Sequence, residues 1–176
     1  NQVLMAQWHA TENRGFKLLL TDNGTLTFTI ADGVNSQTVS LPHRLLERQW
    51  YHVVCAVDLE QKQVTLSTKP LVKYAFTDDE GTITKPLTVS PVLSNDKVLI
   101  AAAASSAGKT EHHYNGKIDS PAVLAGVHTL EARASLLVRP IDAETRSKIV
   151  ALWDFSIGIS TTKATDISNR GCHGSL

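Results

Sequence analysis

Only two of the 176 residues are cysteines, Cys55 and Cys172, and neither belongs to a Cys-x-x-Cys pair. A disulfide-framed secreted scaffold carries more, so both are expected as thiols. Charge of one sign is equally lacking, with 17 Lys+Arg against 17 Asp+Glu. No clustered run of Lys or Arg offers the cationic surface that nucleic acid or an anionic membrane requires. No apolar run nears the roughly 20 residues that span a bilayer; Val98–Ala104 is about a third of that length. Neither nucleic acid nor membrane is therefore expected as a partner. A signal-peptide pattern is also missing, because Asn1-Gln2-Val3 runs straight into apolar sequence. A cytoplasmic location is expected, for a segment excised from a longer chain. No fixed-period repeat occurs, which excludes solenoids and propellers.

What is present is a chain with 42% hydrophobic and 19% charged residues, enough to bury a core within a single domain, 1–176. Its dominant pattern is short alternating segments between turn residues. Phe16, Leu18 and Leu20 share one face of a strand over Gly15–Thr21, Asp22-Asn23-Gly24 turns the chain, and Leu26, Phe28 and Ile30 alternate with threonines beyond it. Alternation on both sides of an Asn-Gly pair predicts a β-hairpin. Further strands are expected at Gln37–Leu41, Trp50–Asp58 and Val64–Ser67, the last two joined by a turn at 58–61. Pro70, Pro86 and Pro91 place Lys69–Asp96 along edges or in connections, since proline has no ladder donor. Strands are expected again at Lys97–Ala104, Tyr114–Ser120, Pro121–Ala125 and Val150–Phe155, with a polar loop to the end. Thr129–Val138 and Asp142–Ile149 are the only helix-like stretches; Asp142 can cap the second and pair with Arg146 at i+4. Many strands with little helix predict an all-β sandwich or barrel.

Each candidate for chemistry meets an ordinary structural alternative. Ala103-Ala-Ser-Ser-Ala-Gly-Lys-Thr110 fits a relaxed phosphate-loop pattern, but a helix must start at its Lys-Thr to aim amides at the phosphates. The following Glu111-His112-His113-Tyr114-Asn115-Gly116 cannot continue as one, so a hairpin loop is expected. His112 and His113 are adjacent, and neighbours on a strand point to opposite faces, which suits a shared metal poorly. No Gly-x-Ser-x-Gly elbow occurs. Cys55 lies among valine and alanine, as an inert thiol would, and Cys172 next to His173 is too close in sequence for a nucleophile–base pair. No strand carries paired carboxylates for glycoside cleavage, and Asp78-Asp79-Glu80 reads as a solvated loop. No catalytic or cofactor-binding residue is assigned. Hard-cation binding stays open: Asp154, Asp166 and Asn169, with Ser168, offer oxygen ligands suited to calcium, or a turn held by side-chain-to-backbone bonds. Trp8, Trp50 and Trp153 could stack on a sugar, although core packing or sheet capping is the commoner fate of such positions.

Three stretches together resemble a laminin G-like domain: Gly15-Phe-Lys-Leu-Leu-Leu-Thr-Asp-Asn-Gly-Thr-Leu-Thr-Phe28, Trp50-Tyr-His-Val-Val-Cys-Ala-Val-Asp58 and Tyr114-Asn-Gly-Lys-Ile-Asp119. That resemblance implies the concanavalin A-like lectin/glucanase jelly roll, an antiparallel two-sheet sandwich, here with one or two short helices near 129–149. The tail is more specific. Leu152-Trp-Asp-Phe-Ser156 with Thr165-Asp-Ile-Ser-Asn-Arg-Gly-Cys-His-Gly174 is similar to the corresponding segment of N,N-dimethylformamidase large-subunit-like proteins, as is Thr68-Lys-Pro-Leu71. The opening strand usual in such domains finds no match before Val3. The resemblance implies an accessory module of a longer amidohydrolase, docked on a neighbouring catalytic domain or subunit, whose iron is held by tyrosine and carboxylate ligands outside these residues. A carbohydrate-binding, calcium-dependent lectin-type module is the alternative. Phe16, Leu18, Leu26, Phe28, Tyr51, Val53, Val57 and Val98 are expected to line the interior, and Trp153 and Phe155 to close the second sheet.

Overall fold

Alternation of apolar and polar side chains gives the first half of the chain its long strands: β1 (Gln2–His9), β2 (Arg14–Leu20), β3 (Thr25–Asp32), β4 (Ser36–Arg44), β5 (Tyr51–Asp58), β6 (Gln63–Pro70) and β7 (Gly81–Pro86). Shorter pieces follow: β8 (Leu99–Ile100), β9 (Ala103–Ala104), β10 (Thr110–Glu111), β11 (Ala122–Leu124), α1 (Ala143–Lys148), β12 (Ile149–Asp154), β13 (Lys163–Asp166) and β14 (Gly174–Ser175). This is a computed structural model, and it describes residues 1–92, 95–127 and 141–176. The chain gathers into two compact units, Asn1–Gly116 and Lys117–Leu176.

In the first unit one antiparallel sheet has the order β4-β3-β2-β1-β8 and a second the order β5-β6-β7. The expected Asn23-Gly24 hairpin joins β2 to β3 in the register Leu18↔Phe28 and Leu20↔Leu26. Gly24, at φ +81°, supplies the left-handed residue this turn needs. Leu26, Phe28, Ile30, Val39 and Leu41 of the first sheet and Val64 and Leu66 of the second form one buried cluster, with Phe16, Leu18, Val53, Cys55 and Val57 packed against it. Burying each large side chain there stabilises the fold by about 1.5–3 kcal/mol. The rings of Phe16 and Phe28 stack at 6.1 Å. At the rim, Gln37 of β4 donates to Pro86 O at 2.6 Å and accepts from Thr88 N–H at 2.8 Å. On the opposite faces threonines pair across strands, Thr29 with Thr38 and Thr65 with Thr84, each at 3.0 Å. β7 is an edge strand ending in Pro86, as proline requires.

In several places the chain departs from expectation. A strand, β1, occupies the start of the sequence and pairs with β2 from Gln2↔Leu20 to His9↔Arg14. Lys97–Ala104 is not one strand: Ala101 adopts φ +63°, breaking it into β8 and β9, and Val98 is exposed rather than interior. Tyr114–Ser120 is not a strand either: left-handed residues stand just before it at His112 (φ +56°) and at its end at Ser120 (φ +47°), diverting the extended path. The phosphate-loop-like segment forms the expected hairpin, with Thr110↔Ala104 and Glu111↔Ala103 in register.

The second unit is a sheet of order β11-β12-β13-β14. The stretch beyond Phe155 is therefore not all loop. Its strands are short and built from small and polar residues, of which Ala164 and Asp166 are buried. Helix α1 forms where Asp142 Oδ1 accepts the Thr145 N–H at 2.8 Å, an N-cap satisfying a donor that the first turn leaves over. Ile141, Ile149 and Leu152 are its buried cluster, and Trp153 is buried while Phe155 lies just past the strand end. The other expected helix, Thr129–Val138, lies outside the described residues.

Candidate functional site

Asp79 is the most deeply buried carboxylate among the described residues, at 1% exposure, and it overturns the expectation that 78–80 is a wholly solvated loop. Asp78 and Glu80 point to solvent on either side of it. The Tyr51 hydroxyl, at the start of β5, donates to Asp79 Oδ2 at 2.7 Å and accepts the Leu46 N–H at 2.9 Å. On the neighbouring strand Thr68 Oγ1 donates to Asp79 O at 3.5 Å and hydrogen-bonds His43 Nε2 at 3.1 Å. Gly81 leaves room for that imidazole, since a Cβ there would lie 2.8 Å from His43 Cε1. Asp79 Oδ1 is left without a hydrogen-bond partner.

This is where a histidine, a carboxylate and two hydroxyls approach one another, and the Tyr51–Asp79 pair sets its own protonation. Burial, then the hydrogen bond to Asp79, pushes the Tyr51 phenol up to about 12. The same bond holds the Asp79 carboxyl below its usual range against the opposing effect of burial. At neutral pH the phenol keeps its proton and the carboxylate its charge, so the pair supplies neither a phenolate nucleophile nor a carboxylic acid. The iron site implied by the resemblance calls for tyrosine and carboxylate oxygens. Tyr51 and Asp79 do not fit it: they are bonded to each other at 2.7 Å, and among the described residues no group of three or more His, Cys, Asp or Glu gathers around them.

The second buried carboxylate, Asp166, belongs to the calcium candidate set. Its Oδ1 accepts N–H groups from Leu152 at 3.0 Å and Ser168 at 2.9 Å. Its Oδ2 accepts the Cys172 N–H and the Ser168 hydroxyl, both at 2.8 Å. Burial raises the carboxyl, but these donors more than reverse that and hold it at about 2. Asp154 instead accepts the N–H and hydroxyl of its neighbour Ser156, and its strand partner is Thr165, whereas that of Asp166 is Trp153. The two aspartates thus occupy alternate register positions, facing opposite sides. Asn169 is exposed in a left-handed conformation at φ +66°. The structure does not bring these three side chains together, and its hydrogen bonds are those of a turn tied to its own backbone. Among the described residues no group of three or more His, Cys, Asp or Glu gathers as metal ligands would.

The remaining candidates are dispersed. His112 lies 3.7 Å from Glu111, while His113 bridges to Val3 on β1. Cys172 is exposed, and His173 Nδ1 accepts the Asp166 N–H at 3.1 Å. Trp8 is buried with Lys17 Nζ 3.8 Å over its ring. Burial lowers the Lys17 pKa, with the Glu111 charge opposing. Trp153 is buried and donates to Cys172 O at 2.8 Å; only Trp50, 45% exposed, presents an indole to solvent. Sequence reasoning missed His43, Thr68 and Asp79, which come from three separate segments with no shared motif.

No described helix is long and apolar enough to cross a membrane. No protein-family model matches the chain. The chain is 30% identical, over an alignment 196 positions long that covers 98% of it, to a protein of Alcaligenes sp named N,N-dimethylformamidase beta subunit, and it spans 25% of that relative's length.

Proposed function

We propose that residues 1–176 act as a non-catalytic accessory module of a larger N,N-dimethylformamidase-like hydrolase. Its fold is a laminin G-like jelly roll, and it docks on the catalytic domain or subunit. The observation that carries this reading is the alignment: almost the whole chain matches about a quarter of the relative. Two features support it. At neutral pH Tyr51 keeps its proton and Asp79 its charge, and the first unit is organised around a buried apolar layer between two sheets. Iron, in this reading, belongs to the rest of the hydrolase, since Tyr51 and Asp79 do not fit it. The test is to purify the complete gene product and assay release of dimethylamine from N,N-dimethylformamide. Hydrolysis with the active-site residues mapping outside 1–176 supports the proposal. A product that carries no further hydrolase region, or no amide hydrolysis, counts against it.

A further inference from the structure

Among the described residues, Val34, Leu59 and Ile159 are exposed apolar residues at turn tips, and such residues need no explanation. One region differs. Leu46, Trp50, Leu71, Val72, Tyr74 and Phe76 are all exposed, and their two loops are bonded side by side. Leu71 N–H donates to Trp50 O at 2.9 Å, and Gln49 Nε2 donates to Val72 O at 2.6 Å. Tyr51 ties Leu46 N–H to the buried Asp79 at the far end of the second loop, and Lys73 bridges to Glu80 at 3.0 Å.

Trp50, Tyr74 and Phe76 are the exposed large aromatics among the described residues, and aromatic anchors are what protein interfaces concentrate. Phe76 is fully exposed and held at φ +67°, a left-handed conformation that a bulky residue adopts only where its surroundings impose it. The loop is thus preorganised to present apolar surface, which lowers the ordering cost of association. We propose that this two-loop surface is where the module docks on the remainder of its own dimethylformamidase-like polypeptide. The inference rests on the accessory-module reading. The occupant is chosen because about three quarters of the relative lies outside the aligned region, and an exposed patch of this kind is what a covalently attached neighbour would cover. A second copy of the chain or a glycan are the other possible occupants.

The test replaces Phe76 with a benzophenone-bearing phenylalanine in the complete gene product, with the same replacement at Ile159 as control, followed by irradiation and peptide mapping. Adducts from position 76 to residues outside 1–176, in several-fold higher yield than from position 159, are expected. Adducts joining two copies of 1–176, adducts to sugar alone, or a yield no higher than the control overturn the assignment. The same peptide map shows whether a hydrolase region is present. If it is present and the adducts fall elsewhere, only this surface fails; if it is missing, the accessory-module reading fails with it.

Discussion

At the scale of single residues, two buried carboxylates are held charged by different partners. Asp166 takes three backbone N–H groups and a hydroxyl, and so knits the 166–172 turn to β12. Asp166→Ala leaves those buried donors unpaired and is expected to cost about 3 kcal/mol, read from urea unfolding. Because its folded pKa of about 2 lies below the unfolded value near 3.9, its stabilisation is complete above pH ~4 and drains away as pH falls toward 2. The wild type should lose stability across that window more steeply than Asp166→Asn. With its oxygens already bonded, added calcium is expected to leave the melting temperature unchanged; a clear rise would favour a cation at Asp166. Tyr51 works at the other end of the scale. Its phenol, raised to about 12 from 10.0, contributes stability that is whole below pH 10 and lost as pH rises through 12. Phenolate absorbance should therefore show one tyrosine titrating late, and Tyr51→Phe should abolish that late step while costing about 2 kcal/mol by leaving Asp79 unpaired.

At the scale of elements, the pairing of β1 with β2 requires a glycine at position 15. It sits at φ +106°, and a Cβ there would lie 2.0 Å from Gln7 O, a backbone atom that cannot swing aside. Gly15→Ala is expected to cost at least about 3 kcal/mol, whereas Gly108→Ala, at φ +72° with open space around it, should cost only about 1 kcal/mol. Chemical denaturation of the two variants compares them directly. The β2–β3 hairpin and the β5–β6 pair were legible in the sequence because alternation and turn residues agree there. The 97–104 stretch was not: its apolar composition hid a single left-handed residue, Ala101, which local propensity does not announce. β13 and β14 escaped notice for a different reason. Strands of four and two residues made of Lys, Ala, Thr, Asp, Gly and Ser carry too little periodicity to register. Asp142 was readable as a cap because capping is a local contact. The bond between Asp79 and Tyr51, by contrast, spans 28 positions and depends on tertiary folding.

At the scale of the whole molecule, the dimethylformamidase-like likeness rests on short motifs at 68–71 and 152–174 and on a 30% identical alignment that covers nearly all of the chain. Structure adds a polar cluster, and the weightiest alternative to an accessory role is that this cluster, with His43 at its edge, performs chemistry. The decisive measurement is kcat for N,N-dimethylformamide in the complete gene product carrying His43→Ala, with its fold checked by circular dichroism. A non-catalytic module predicts kcat within about twofold of wild type, whereas loss of a working general acid or base costs about 10²–10⁴-fold. A fall of that size in a folded variant would contradict the accessory role outright.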